Sequence, residues 1–483
     1  MKSNFAAEKS IKTSAVLNMI KTVMGVIFPL ITFPYASRIL QPAGLGKITF
    51  ANAVVSYFSM IAALGINMYG VREVAKLRND RAALTKFTKE IFTINMISTM
   101  AACILLGLAI LFLPHFAEYR NLLIVCGTAM LFIPVGMDWL YTGLEEFAYI
   151  VLRSLAFQVI SLILLFIFVR TKDDYLKYAA VGVISSVGIN VCNFIHARKF
   201  ILFNMKTDRE LRSHLRPIFT LFFMSVAVSI YTVLDTTMLG FIAGDEQVGL
   251  YTAATRLNRV VVSVISAATA VLLPRLSFYI SQNNSRQFFE LSEKGLNLII
   301  LLSLPCAVGL SLIARPVIFL LCGSQYEAAV PIMKIMNPII VAISLSGLIG
   351  VQIFIPLGKE KVTFFSVVLG AMINFCLNII FIPRRGALGA GIATVCAECF
   401  VSFFQFAYAH TYFDLKKILI HAVQCLASCG ILFFCVQLLV NIEMPVPIML
   451  FISIMLGSAS YFFGLALLGN QFFLSLLKEF FKR

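Results

Sequence analysis

Two arginines interrupt an otherwise apolar stretch of the chain. Arg256 and Arg259 follow a short polar turn at 244–247 and fall inside an apolar segment from 248 to about 273. Three residues apart on a helix, they project from roughly one face. With a rise of 1.5 Å per residue they lie roughly 12 and 17 Å beyond the turn, near the middle of a bilayer. A guanidinium facing lipid there costs at least ~2.5–3.5 kcal/mol, so both arginines are predicted to face polar groups.

Two kinds of polar neighbour would satisfy these arginines. Asp235 lies at a similar depth on the preceding helix arm, and Glu398 lies near the middle of another apolar segment. Either carboxylate could form an ion pair with an arginine, and Glu398 could instead bind a proton or a cation. Asp235 alone cannot neutralise two arginines. The second explanation is therefore a polar cavity that receives an anion.

Further polar residues occur in other apolar segments. Arg38 closes the first of them, and Lys21 lies early in it, where it could snorkel to the interface or face a cavity. Asn374 and Asn378 share a face at i, i+4 and are predicted to make polar contacts between helices, as are Asn190 and Asn193. Asp138, beside Trp139, is interpreted as a solvated acid at the membrane interface.

The amino-acid composition indicates that the chain lies in a membrane. The chain has 483 residues, of which 60% are hydrophobic and 13% charged, and its mean hydropathy is +0.92. These values exclude a soluble multidomain protein. Apolar runs of about 20 residues predict an all-α polytopic membrane protein with about fourteen transmembrane helices. The predicted spans are 14–37, 48–69, 90–113, 120–142, 149–169, 177–198, 217–243, 248–273, 294–320, 328–356, 362–382, 387–410, 418–441 and 446–469.

Basic residues predict the orientation. Lys and Arg are concentrated in 70–90 and 198–217, whereas the connections on the other side are short. The positive-inside rule places both segments and both termini in the cytoplasm. The 70–90 segment is predicted to be an amphipathic helix on the membrane surface. The net charge of +16 fits attraction to anionic lipid, and we expect no nucleic-acid partner, because no separate basic domain with interleaved aromatics is present.

The long hydrophilic connection at 198–217 divides the predicted spans into two groups. Six precede it and eight follow. We expect an amino-terminal six-helix bundle at 1–205, a second six-helix bundle at 206–412 and two additional helices with a cytoplasmic tail at 413–483. No cleavable signal is predicted. The eleven cysteines are scattered, and Cys396 and Cys399 have no flanking His, so neither a metal site nor a cofactor is expected.

Three linked segments have distinctive sequences. They are FPYASRILQPAGLGKITFANAVVSYF followed by GINMYGVREVAKLRND; LDTTMLGFIAG followed by VGLYTAATRLNRVV and LLPRLS; and GKEKVTFF followed by INFCLNIIFIPRRGALGAGIATVCAE. Together they resemble the Wzx-type polysaccharide flippases of the multidrug/oligosaccharidyl-lipid/polysaccharide superfamily. The resemblance covers about residues 10–410 in the family's order. It implies a V-shaped pair of six-helix bundles around a cationic central cavity.

The resemblance also implies a substrate and a location. The family moves undecaprenyl-diphosphate-linked oligosaccharide from the inner to the outer leaflet of the bacterial cytoplasmic membrane by alternating access. Arg256, Arg259 and Arg38 match its motifs, and Lys21 matches more loosely, so these four would bind the diphosphate and sugars. Membrane lipids, a polysaccharide polymerase and chain-length proteins would be further partners.

Other functions remain open at this stage. The two extra carboxyl-terminal helices also occur in lipid II flippases. A multidrug or cation antiporter of the same superfamily would need an acidic cavity, whereas these spans contain more Arg and Lys than that predicts. A membrane-embedded polysaccharide polymerase would be expected to carry large outer loops with catalytic residues, which this chain lacks. We therefore expect a transporter and not an enzyme.

Overall fold

The computed structural model describes residues 11–481 apart from 203, 206–209, 441 and 443. Within that part of the chain every regular element is helical, which confirms the predicted all-α class. The chain forms two compact units, Met1–Phe241 and Ile242–Arg483. The predicted division at 1–205, 206–412 and 413–483 stays a prediction.

The first unit contains nine α-helices among its described residues. They are α1 Ile11–Ala63, α2 Ile66–Leu77, α3 Arg81–Phe112, α4 Arg120–Thr128, α5 Ile133–Gly136, α6 Asp138–Gly143, α7 Phe147–Phe168, α8 Tyr175–Ala197 and α9 Leu211–Ile242.

The second unit contains ten α-helices in the part that the structure describes. They are α10 Asp245–Ala270, α11 Leu272–Ser281, α12 Ser285–Leu312, α13 Ala314–Cys322, α14 Ala329–Met336, α15 Ile339–Gly347, α16 Glu360–Ala409, α17 Leu415–Val440, α18 Val446–Leu467 and α19 Gln471–Phe481. A π-helical turn, Leu348–Ile353, follows α15.

Every predicted span coincides with helical structure, although the count of fourteen stays a prediction. Among the described residues, 10 helical segments are long and apolar enough to cross a membrane, and an eleventh is a pair bent by 41° between α14 and α15. Two of these segments reach into two predicted spans each, because α1 has 53 residues and α16 has 50. At 1.5 Å per residue such helices would be roughly 75–80 Å long, more than twice the bilayer core.

A backbone break divides each long helix into two arms. In α1 the break is at Gln41, whose φ is 59° and ψ 175°, immediately before Pro42. In α16 it is at Gly386, whose φ of 53° favours glycine. The side-chain Oε1 of Gln247 accepts a hydrogen bond from the backbone N–H of Ala387 at 2.9 Å. This bond satisfies a donor at the start of the second arm of α16.

The fourth predicted span is not one continuous helix. Residues 120–143 form α4, a short 3₁₀ turn, α5 and α6, with a break at Met137, whose φ is 45°. The side-chain Nδ2 of Asn193 on α8 donates to the carbonyl oxygen of Gly136 at this break. A broken helix is tolerated inside a membrane when a neighbour satisfies its freed backbone groups. The predicted role of Asn193 as a cross-link between helices is confirmed.

The single amphipathic helix predicted over 70–90 is wrong. α2 ends at Leu77, and α3 begins at Arg81 and continues as an apolar helix. Asp80 causes the restart, because its Oδ1 accepts hydrogen bonds from the backbone N–H groups of Ala82 and Ala83 at 2.9 and 3.0 Å. This is N-capping by an aspartate.

Large apolar side chains on the protein surface are those expected to contact lipid. Leu152, Phe403 and Leu438 are 72%, 73% and 73% exposed. Such exposure is normal where the solvent is hydrocarbon. The interior of each unit holds its own apolar cluster, around Ile91 and Trp139 in the first and around Leu296 and Phe354 in the second.

The connection between α7 and α8 is held by one aspartate. Oδ2 of Asp174 accepts from the backbone N–H groups of Arg170 and Thr171 at 2.9 and 2.8 Å, and Oδ1 lies 2.7 Å from Nζ of Lys177. The Lys177 ammonium and then the two N–H groups hold the pKa of this carboxyl well below its usual range. Asp174 therefore stays ionised at physiological pH, and the connection keeps its shape.

We predict that Gly240→Ala destabilises the first unit. A Cβ at Gly240 on α9 would overlap the ring of Phe50, which is fully buried on α1 and packs against Tyr119 and Phe241. Overpacking of this kind costs about 1–3 kcal/mol. The measurement is thermal unfolding in detergent. The control is Gly107→Ala on α3, where a Cβ meets no atom within 4 Å; equal losses in the two variants would contradict the predicted clash.

Candidate functional site

α10 packs into the second unit through one face. Gln247 in its first turn bonds to α16, as described above, and Tyr251 Oη lies 3.0 Å from Thr394 Oγ1 on α16. Two turns farther along the same face, Asn258 is fully buried. With the Asn337 amide oriented so that both its oxygen and its nitrogen are satisfied, Oδ1 of Asn258 accepts from Nδ2 of Asn337, beside α14, at 2.8 Å. The face through Gln247, Tyr251 and Asn258 is therefore the packing face of α10.

Arg256 and Arg259 lie away from this packing face. At 3.6 residues per turn, both side chains are rotated by more than roughly 100° from the line through Gln247, Tyr251 and Asn258. Arg256 is half-buried and Arg259 is exposed. The predicted shared face of the two arginines is thus present, and it lies on the surface of the second unit and not in its core.

Arg259 is a cation without a partner among the residues that the structure describes. Its guanidinium makes no hydrogen bond or ion pair with any residue that the structure describes. It lies near the middle of α10, Asp245–Ala270. Because lipid exposure of such a group is unfavourable, the surrounding medium must be polar. Arg256 does have an interaction, and the predicted pairing of the arginines with Asp235 or Glu398 stays a prediction.

The other predicted site residues are distributed over both units. In the first unit Arg38 is exposed on α1, whereas Asp235 is 8% exposed on α9. Two residues from Asp235, Thr237 Oγ1 donates to Tyr57 Oη at 3.2 Å. The side chain of Lys21 lies outside the described residues. Each of these assignments to substrate binding or coupling stays a prediction.

In the second unit, Glu398 is half-buried on the second arm of α16. Asn374 and Asn378 are 1% and 0% exposed on the first arm, and Asn378 Nδ2 donates to Asn374 Oδ1 at 3.0 Å. The shared face is as predicted. This bond lies within one helix, so the predicted polar contact between helices stays a prediction.

Asp138 has a charged partner, Arg153, that the sequence does not reveal. Nη2 of Arg153 lies 3.1 Å from Oδ1 of Asp138, and Nδ2 of Asn193 donates to the same oxygen at 3.0 Å. Arg153 is 8% exposed, whereas the Asp138 side chain is 56% exposed. Asp138 is thus partly solvated, as interpreted, and it also anchors a buried arginine.

A second missed cluster joins α2, α3 and α9. Glu90 is 3% exposed, and its Oε2 lies 2.9 Å from Nε2 of His214, whose Nδ1 lies 2.8 Å from Tyr69 Oη. Oε1 of Glu90 also accepts from the backbone N–H of Glu210 at 2.9 Å. The sequence signal was the glutamate at the end of the basic stretch at 70–90, which the surface-helix interpretation left in solvent.

Within the described residues, no group of three or more His, Cys, Asp and Glu side chains could hold a metal ion. Cys396 and Cys399 are both exposed on α16.

Comparison with known proteins identifies relatives along most of the chain. Residues 11–280 match the family model described as "Polysaccharide biosynthesis protein". A "Putative O-antigen transporter" of Escherichia coli K12 is 24% identical over 381 residues, covering 78% of this chain and 91% of its own.

Two solved structures share the fold. One is a lipid II flippase in an inward closed conformation, with a TM-score of 0.77 at 15% identity, covering 96% of this chain and 100% of its own. The other is an inward-facing multidrug resistance transporter of the same superfamily, with a TM-score of 0.63 at 14% identity, covering 84% of this chain and 98% of its own. With the apolar helices, these matches establish a multi-pass membrane protein with the predicted superfamily fold.

We predict that Arg153→Met destabilises the protein by about 1–3 kcal/mol, because it removes charge-assisted hydrogen bonds to Asn193 and Asp138. The control is Arg78→Met, which removes an exposed pair with Glu145 at 3.5 Å and is expected to change stability by less than about 1 kcal/mol. Thermal unfolding of both variants in the same detergent tests the difference. A control as unstable as Arg153→Met would mean that burial of the pair is irrelevant.

Proposed function

Because the chain belongs to the polysaccharide biosynthesis protein family, we propose that it is a flippase for lipid-linked oligosaccharides. It moves undecaprenyl-diphosphate-linked units from the inner to the outer leaflet of the bacterial cytoplasmic membrane for surface polysaccharide synthesis. The Escherichia coli relative, which is named as an O-antigen transporter, supports this class of substrate. The chain acts as a transporter and not as an enzyme.

The observation that carries the proposal is the exposed guanidinium of Arg259, which has no partner in the described part of the chain. An unpaired cation in the middle of a membrane helix needs an anion or water beside it. A diphosphate headgroup is an anion that must cross the hydrocarbon region during transport. Arginine suits it because the planar fork of N–H donors matches phosphate oxygens.

Arg256 and Arg259 form the diphosphate clamp in this mechanism. They lie one turn apart on the surface of α10, so both forks can reach one headgroup. Arg38 and Lys21 contribute further positive charge from the first unit. Asparagine and aromatic side chains hold the sugars, and the prenyl chain remains in lipid.

Transport follows alternating access, with the clamp open to one side of the membrane at a time. The membrane potential assists, because two negative charges moving outward gain roughly 4–5 kcal/mol per 100 mV, at about 2.3 kcal/mol for each charge. Asp235 and Glu398 either pair with the arginines or bind a coupling cation. Both termini are cytoplasmic, and a polymerase and chain-length proteins act on the product.

The clamp is tested by removing charge from α10. Arg256→Gln and Arg259→Gln are each expected to slow transport about 10- to 100-fold, because each loses a charge-assisted hydrogen bond of about 1.5–3 kcal/mol. The double variant is expected to abolish surface glycan and to accumulate lipid-linked oligosaccharide inside the cell. Arg259→Lys keeps the charge but loses the fork, so it should retain partial activity.

The control is Arg286→Gln, which removes an arginine that is 89% exposed and pairs with Glu290; it is expected to leave glycan unchanged. Protein in the membrane fraction is quantified for every variant. Normal glycan in a double Arg→Ala strain would refute the clamp. Accumulation of peptidoglycan precursor would identify a lipid II flippase instead, and altered drug sensitivity alone would identify an antiporter.

A further inference from the structure

A cavity of about 870 Å³ lies within the second unit, apart from the arginine face of α10. Its volume is within the range of small-molecule sites. It is located beside the bend between α14 and α15, where Asn337 and Pro338 line it. The rest of its wall comes from the end of α12, the start of α13 and the facing ends of α17 and α18. Neither the transport proposal nor the sequence motifs account for this cavity.

The floor of the cavity is fixed by a buried amide. Asn337 is fully buried, and its Oδ1 accepts from Ser311 Oγ at 2.7 Å while its Nδ2 donates to Asn258 Oδ1 at 2.8 Å. These bonds connect the bend to α12 and α10. The floor is therefore polar and already satisfied, which leaves the residues at the rim to contact a ligand.

Two cations line the rim. Nη2 of Arg315 lies 2.9 Å from Oε1 of Glu327, and the Arg315 guanidinium lies 5.2 Å from the centre of the Phe319 ring. Lys334 is exposed, and its ammonium makes no hydrogen bond or ion pair with a described residue. Among the described residues, a single carboxylate accompanies these two cations, so this part of the rim carries a net positive charge. Gln437 adds an exposed amide on the opposite wall.

The remaining wall is apolar and continues onto surface that contacts lipid. Phe433 on α17 and Met449 on α18 line the cavity, and Phe433 is 42% exposed. Next to this wall, Phe434 and Phe451 are 70% and 67% exposed. Exposed apolar area of this size indicates contact with acyl chains. A ligand with an apolar chain can therefore reach the cavity from the bilayer.

The position along the membrane normal matches that of a lipid headgroup. The cavity lies beside the carboxyl-terminal ends of α12 and α17 and the first turns of α13 and α18. The charge asymmetry of the sequence predicts that these helix ends lie on the outer side. Basic pockets between transmembrane helices bind anionic headgroups.

We propose that this cavity binds an anionic phospholipid of the outer leaflet. Arg315 and Lys334 contact its phosphate, Gln437 donates to a headgroup oxygen, and one acyl chain lies along Phe433 and Met449. The proposal does not depend on which substrate the protein transports.

Native mass spectrometry of the purified protein, titrated with phosphatidylglycerol or phosphatidylcholine, tests the site. We expect preferential binding of phosphatidylglycerol. Lys334→Ala is expected to weaken it about fivefold, the usual contribution of one basic residue near anionic lipid, and Lys334→Arg to retain it. The matched control is Arg384→Ala, an exposed cation of the same unit outside the cavity, in another connection predicted on the outer side; it should change nothing.

Several results would overturn the proposal. Equal binding of the two lipids, or an equal loss in Arg384→Ala, would mean that no specific site exists. Full displacement of phosphatidylglycerol by an equal concentration of inorganic phosphate would assign the cavity to a free anion. A dimer abolished by Lys334→Ala would assign it to a second copy of the chain.

Discussion

A charged guanidinium in the hydrocarbon region of a membrane needs a polar neighbour, and the structure is arranged around this constraint. In the second unit, α10 directs neutral polar groups inward, where Gln247, Tyr251 and Asn258 bond to α16 and to Asn337. Its arginines point the other way. The first unit treats Arg153 differently, since it is buried and bonded to Asn193 and Asp138. One arginine therefore stabilises a fold, whereas the exposed Arg259 is available to a ligand.

The second constraint concerns the backbone. Helices that break inside a membrane release N–H and carbonyl groups that lipid cannot bind. Asn193 donates a hydrogen bond to a freed carbonyl at the break at Gly136–Met137, and Gln247 accepts one from a freed N–H at the break at Gly386. At the bend between α14 and α15, Asn337 bonds to two neighbouring helices. Side-chain amides are well suited to this task because each supplies a donor and an acceptor without a charge.

The sequence predicted the features that depend on local periodicity. Apolar runs placed all fourteen predicted spans on helices, and a spacing of three residues put Arg256 and Arg259 on one face. It did not predict contacts that depend on how distant helices pack. Glu90 and His214 are 124 residues apart, and the Asp138–Arg153 pair forms because Met137 turns α6 toward α7. The boundary at Asp80 was missed although an aspartate is a common N-cap, because the basic residues around it dominated the interpretation.

The bond between Gln247 and Ala387 has a consequence for biogenesis. The amino terminus of a chain emerges from the ribosome first, and domains fold progressively during synthesis. Gln247 is thus inserted 140 residues before its donor, the backbone N–H of Ala387, emerges. When the hairpin at Gly386 leaves the translocon, the group that will close it is already in place on α10. The two arms of α16, which are translated later, can therefore pack against α10, which is already in the membrane. The order of translation is also the order in which the unit can be assembled.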